Sequence, residues 1–187
     1  MQFTLIRHTS VDVPKGTCYG WSDVPLADTF EEEAAHTRSC LEGKVFDQVY
    51  CSPLSRARKL AAFCGFPTPI IDDRLKEMNM GEWEMQRYDE ITDPALQRWY
   101  DDYMHLPATG GESFPMLLAR VSAFLDELRQ QPFRHVAIFT HGGVIVSAGI
   151  YAGLFGEEDA FSHSVPYGGI LEMEICKDNV GSYIIRK

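Results

Sequence analysis

Phe3-Thr4-Leu5-Ile6-Arg7-His8-Thr9 passes without a break from an apolar, β-leaning run into an arginine and a histidine. The apolar part is too short for a helix and suits a strand over Phe3 to Ile6, with the polar pair at its carboxyl end. Two later stretches have the same form. Asp47 to Cys51 is a strand candidate that ends in Ser52-Pro53, and His135 to Thr140 is another that ends in His141-Gly142-Gly143. Ser52 is a good N-cap and Pro53 a good first helical residue, so a helix is expected from there to Gly65, with Arg56 one turn into it. Val144 to Leu154 is apolar and reads as the helix after the later strand. Strands alternating with helices in this way predict a three-layer α/β/α sandwich with a mostly parallel central sheet.

The remaining segments fit that frame. Pro14-Lys15-Gly16, Gly20, Asp23 and Pro25 mark a long loop after the first strand. Thr29 and Glu32 have capping-box spacing before a helix from Phe30 to Leu41 that Gly43 closes. Ile70-Ile71 is a short extended piece. In Met116 to Gln130, the positions Leu117, Val121, Phe124, Leu125 and Leu128 recur at helical spacing. Gly169 to Cys176 and Val180 to Ile185 suit a terminal hairpin around Lys177-Asp178-Asn179. Trp83 to His105 is helix-compatible, interrupted near Asp93-Pro94, and crowded with aromatic and acidic side chains. The chain therefore reads as one domain, 1–187, with a helical cap or lid inserted around 83–112. Packing of helices is the simpler account of those aromatics, and a lid that stacks on a heteroaromatic substrate is the functional one.

Composition narrows the function classes. Apolar residues are 45% and charged residues 24% of the 187, as in an ordinary globular domain. Seventeen Lys and Arg against 27 Asp and Glu leave a net charge of −10, which argues against nucleic acid or an anionic membrane surface as the main partner. A few arginines can still make one cleft positive for a small anionic substrate. The five cysteines, Cys18, Cys40, Cys51, Cys64 and Cys176, are odd in number and lack CxxC spacing, so buried free thiols in a reducing cytoplasm are expected. The N-terminus lacks a basic segment followed by an apolar one, and no apolar stretch approaches about 18 residues. Neither export nor a membrane span is inferred.

In open α/β sheets ligands bind beyond the carboxyl ends of the strands, where helix N-termini favour anions. If the three polar strand ends lie together, Arg7, Arg56, His8 and His141 converge on one point. Such a point would be a phosphate site containing a nucleophile. Phosphoryl transfer needs fixed cationic donors, and the planar fork of arginine suits the oxygens. A neutral imidazole can attack phosphorus to form a phosphohistidine. The departing alkoxide then needs a proton, which a carboxylic acid near the phosphate can supply. Singly, each residue has an ordinary explanation: a surface Arg-His pair, a hydrogen-bonded core histidine, a solvated helix arginine. Their joint appearance at three strand ends points to chemistry.

In order along the chain, Leu5-Ile6-Arg7-His8, Tyr19-Gly20, Ser52-Pro53-Leu54-Ser55-Arg56-Ala57, Leu75-Lys76-Glu77-Met78-Asn79-Met80-Gly81-Glu82-Trp83-Glu84, Gly110-Gly111-Glu112-Ser113 and Thr140-His141-Gly142-Gly143 resemble the histidine phosphatase, or phosphoglycerate-mutase-like, superfamily. The resemblance covers essentially the whole chain. It implies His8 as the phosphorylated nucleophile, Arg7, Arg56 and His141 as phosphate-binding residues, and Glu77 as the proton donor. Glu82 and Glu84 are nearby acids that rank below Glu77. Thr9, Thr17, Tyr19 and Gly20 are implied as substrate contacts. No cofactor is implied, and no cluster of carboxylates and histidines has convincing metal-ligand spacing. The Cys18 to Leu26 stretch and the Gly-Glu-Trp-Glu ending resemble the α-ribazole phosphatase branch, which acts on α-ribazole 5′-phosphate in assembly of the lower nucleotide loop of cobalamin. Thr9, Val11 and Pro14 depart from a family pattern that usually has Gly, Thr or Ser, and Asn there. A β-branched Thr9 would be strained if that glycine needs a positive φ, so either the loop differs here or the dihedral is not required. Thr17 could replace one of the lost polar groups.

The resemblance thus implies a metal-independent phosphomonoesterase acting on a small phosphorylated metabolite. A broad-specificity phosphatase and a phosphoglycerate mutase are the enzymatic alternatives, the chain being short for a mutase. A catalytically silent phosphoryl-binding protein is the alternative of another class. Oligomeric state is not legible.

Overall fold

Alternation along one strand fixes the two faces of the sheet. In β1 (Gln2–Arg7), Phe3 and Leu5 face one way and Ile6 the other, and each set meets a different pair of helices. The computed structural model describes residues 1–175 and 180–186. It also contains α1 (Phe30–Leu41), β2 (Gln48–Cys51), α2 (Ser55–Phe63), β3 (Ile70–Ile71), α3 (Ala95–Asp101), α4 (Phe114–Arg129), β4 (His135–Thr140), α5 (Gly142–Tyr151), β5 (Ile170–Ile175) and β6 (Val180–Arg186). Phe3, Leu5, Val136 and Ile138 pack against Leu117, Val121, Phe124 and Leu125 of α4 and Val144, Ile145 and Ala148 of α5. Ile6, Ala137 and Phe139 pack on the other side against Ala34 and Leu41 of α1 and Ala57, Leu60 and Ala61 of α2. This is the expected three-layer sandwich.

The sheet order is β3-β2-β4-β1-β5-β6. The first four strands run parallel, and β5 and β6 add to β1 as an antiparallel pair. Register then decides what the strand ends bring together. Arg7 pairs with Thr140, and Cys51 with Phe139, so β1 and β4 finish level and β2 one residue earlier. His8, His141 and Ser52 follow immediately, on three adjacent strands.

Several local expectations need correction. Ser52 is not the N-cap of α2; the helix begins at Ser55, whose backbone and hydroxyl both donate to Asp23 Oδ1 at 2.9 and 2.8 Å. Ser52 Oγ accepts instead from Leu54 N at 3.3 Å and pairs with His141. The Thr29–Glu32 box does not form, because Thr29 Oγ1 donates to Glu33 Oε1 at 2.6 Å. Trp83 to His105 is mostly irregular, its only α-helix being α3 just after Pro94. Asp93 is the reason for the break: its carboxylate accepts from Trp83 Nε1 and Ala95 N, each at 2.8 Å, and from Thr109 Oγ1. Trp83, Met80, Cys18, Leu96 and Ala108 form a small core of their own, with Trp99 edge-on to Trp83 and stacked on Tyr88. Cys18, Cys51 and Cys64 are buried free thiols and Cys40 is half-buried. Cys176 and the expected turn at 177–179 lie outside the described residues, although β5 and β6 pair as the hairpin requires.

Candidate active site

His8 is only 2% exposed and sits where β1 ends. Its Nδ1–H donates to the Thr9 carbonyl at 2.7 Å, which fixes the tautomer and leaves the lone pair on Nε2. Burial, then the positive charges of Arg56 and Arg7, push its pKa down to about 3, against a smaller opposing effect of the Thr9 carbonyl. The ring is therefore neutral at pH 7. It lies 5.1 Å from the ring of His141, itself fully buried and held well below the ordinary histidine pKa by burial and by His8, Arg56 and Arg7. His141 Nε2 shares a 2.7 Å hydrogen bond with Ser52 Oγ.

The two arginines reach the site from different elements. Arg7 donates from Nη1 to Val165 O at 2.6 Å and lies 4.1 Å over the ring of Tyr167. Arg56, the second residue of α2 and fully buried, donates from Nη1 to Ser22 O at 2.8 Å and from Nη2 to Gly20 O at 2.6 Å. The same loop is gripped from its other side by Glu84, whose carboxylate accepts the backbone N–H groups of Gly20, Trp21, Ser22 and Met80 at 2.7 to 3.1 Å. Burial of Glu84 acts to raise its pKa, but the Ser22, Gly20 and Trp21 donors outweigh it and hold the carboxyl below its ordinary value. Gly20 admits no side chain, since a Cβ there would overlap the Met78 carbonyl. After these bonds Arg7 Nε, Arg56 Nε and His141 Nδ1 remain buried without a partner. Buried polar atoms are rarely left so, and a phosphoryl group brings the acceptors that the two guanidinium N–H groups lack.

Glu77 stands opposite. Both its carboxylate oxygens lie 3.2 Å from Gly143 N at the start of α5, and Oε1 accepts from Met78 N at 2.9 Å. A cavity of about 420 Å³ opens between these groups. Arg7, His8, Thr17, Tyr19, Glu77, Gly142, Gly143 and Ser164 supply one part of its wall, and Met78, Met80, Tyr88, Phe114 and Val146 an apolar part.

Of the residues expected at the site, Arg7, His8, Glu77, Thr17 and Tyr19 line this cavity, and Arg56 and His141 are fully buried. Thr9 and Gly20 are not brought to it. Thr9 is fully buried with Oγ1 unpartnered, and Gly20 serves Arg56 and Glu84 with its backbone. Thr9 has no positive φ; the only described non-glycine residue that does is Met85. The loop therefore accepts a β-branched residue without strain. Thr17 Oγ1 donates to Pro14 O at 2.7 Å. Glu84 is a loop anchor, and Glu82 is exposed.

Sequence reasoning missed Tyr167, and Ser52 as the partner of His141. Tyr167 shares a 2.7 Å hydrogen bond with Tyr19 through their hydroxyls, and its ring lies 5.4 Å from that of His8. Its place follows from the β1–β5 pairing, in which Arg7 N donates to Gly169 O at 3.0 Å, a signal visible only once β5 is known to lie beside β1. Among the described residues no three His, Cys, Asp or Glu side chains group as a metal ion would need.

A profile of the histidine phosphatase superfamily (branch 1) matches residues 3–180. The chain belongs to that superfamily. This histidine phosphatase is 30% identical over 154 residues to an adenosylcobalamin/alpha-ribazole phosphatase of Escherichia coli (strain K12), covering 78% of this chain and 75% of that one. It is 26% identical over 164 residues to phosphoserine phosphatase 1 of Hydrogenobacter thermophilus (strain DSM 6534 / IAM 12695 / TK-6), covering 83% and 77%. The crystal structure of the alpha-ribazole phosphatase from Shigella flexneri superposes with a TM-score of 0.90 at 25% identity, over 100% of this chain and 96% of that one.

Proposed function

We propose that this phosphatase hydrolyses α-ribazole 5′-phosphate, without a metal, through a phosphohistidine on His8. The observation that carries the chemistry is the neutral His8 ring, its free nitrogen fixed by the Thr9 carbonyl, in the company of Arg7, Arg56 and His141, each with a buried ring or guanidinium nitrogen left unpartnered. In the first step Nε2 of His8 attacks phosphorus while the P–O bond to the leaving group breaks, and Glu77 gives its proton to the departing alkoxide. In the second step Glu77, now a carboxylate, takes a proton from water as the water oxygen displaces His8 Nε2 from phosphorus. Phosphate leaves and both residues return to their starting states. The guanidiniums and the N-terminus of α5 hold the equatorial oxygens throughout.

The relatives' names and the apolar part of the cavity support the substrate. Met78, Met80, Phe114, Val146 and the Tyr88 ring offer contact to a flat heteroaromatic group and no charge to recognise an amino acid. Residues 83–112, with Tyr88 reaching the cavity from their small core, act on this reading as a cap of a single catalytic domain. No helix among the described residues is long and apolar enough to cross a membrane. The buried free thiols support a cytoplasmic location.

A screen of phosphate monoesters tests the substrate. We expect kcat/KM for α-ribazole 5′-phosphate to exceed that for phosphoserine, sugar phosphates and 3-phosphoglycerate by about 10²-fold or more, as burial of an aromatic group in an apolar site allows. Equal rates on all of them would make this a broad-specificity phosphatase, and a preference for phosphoserine would refute the assignment.

A further inference from the structure

Arg120 lies on α4, in a helix whose apolar face belongs to the core, yet its guanidinium turns to the segment that carries Glu77. A guanidinium has five N–H donors, and Arg120 has five acceptors. Nε donates to Glu112 Oε1 at 2.9 Å, Nη1 to the carbonyls of Arg74 and Lys76 at 2.6 and 2.7 Å, and Nη2 to the Glu77 carbonyl at 2.8 Å and to Glu112 Oε2 at 3.0 Å. Glu112 is itself tied to the same segment, since Oε2 accepts from Asn79 N at 2.8 Å and its own N–H donates to Asn79 O at 2.8 Å. Both side chains of the pair are largely buried. A buried ion pair is a weak contributor to net stability, which leaves its geometry as the reason for its form.

We infer that Arg120, held by Glu112, is the positioning residue for the proton donor: by fixing the backbone on both sides of Glu77 it sets where that carboxyl meets the leaving oxygen. The inference rests on the reading of Glu77 as the acid. Arg120 touches no reacting atom. Lysine has three donors on a point charge and cannot span three carbonyls and a carboxylate.

The test uses two substrates and a double-mutant cycle. Arg120→Lys should lower kcat on an alkyl phosphate by about 10²-fold, the cost of a misplaced catalytic group. On nitrophenyl phosphate, whose leaving group departs without a proton, the loss should stay below about threefold, and that turnover itself reports a folded site. Glu112→Gln, which keeps the shape and weakens the grip, should show the same leaving-group dependence more mildly. In a Glu77→Gln background, Arg120→Lys should cost almost nothing further, because the group it positions is gone. Equal losses on both substrates, or effects that multiply in the double variant, would overturn the inference and make the clamp merely structural. Should Glu77→Gln alone show no leaving-group dependence, the acid assignment fails, and the inference with it.

Discussion

His8 is a histidine prevented from becoming a cation, and that has a consequence for stability as well as for catalysis. In the unfolded chain it titrates near 6.5, and in the folded protein at about 3, because burial and two arginines oppose the proton. Between those values the unfolded state binds more protons, so stability falls as pH drops from about 6.5 toward about 3, by up to about 1.4 kcal/mol per pH unit. His141 acts in the same direction. Denaturant unfolding at pH 7 and pH 5 should show His8→Asn losing about 2 kcal/mol less than wild type over that interval. Equal losses in the two proteins would mean that His8 carries a proton in the folded state. At this scale the positions were legible by inspection, since Arg7-His8 and His141 stand at the ends of β1 and β4 as the apolar runs implied. It could not name the tautomer, which depends on the Thr9 carbonyl, nor Tyr167, which reaches Arg7 across 160 residues of chain.

The elements place these residues through their ends. The first turn of α5 brings Gly143 N to both oxygens of Glu77, and it does so at a glycine because a Cβ there would overlap Glu77 Oε1 and press on Leu117 Cδ2. Gly143→Ala should therefore displace the acid and leave the nucleophile alone. We expect kcat on an alkyl phosphate to fall about 10²-fold, with inhibition by inorganic phosphate little changed; an unaltered kcat would show that the Gly143–Glu77 contact is dispensable. Long periodic elements were legible, as in α4, whose Leu117, Val121, Phe124, Leu125 and Leu128 are all buried as the spacing requires. Short starts were not. α2 is capped by Asp23 from a distant loop, and the aromatic segment after Trp83 is fixed by Asp93 and by rings packing on one another, so long-range contacts override local helix preference.

At the scale of the whole molecule, one register does most of the work. With β1, β4 and β2 ending within one residue of each other, three polar strand ends separated by up to 133 residues come together, and an acidic protein acquires a positive point within it. Alternating strands and helices predicted the parallel part of the sheet. The antiparallel addition of β5 beside β1, which delivers Tyr167 and the Val165 carbonyl to Arg7, is a tertiary choice with no local signal. On the proposed mechanism His8 accepts the phosphoryl group. Rapid quench of the enzyme with phosphorus-labelled substrate, followed by peptide mapping, tests it most directly. Phosphate should be found on His8, stable to base and labile to acid as a P–N bond is, and no label should appear in His8→Ala. Label on any other residue, or undiminished label in His8→Ala, would contradict it.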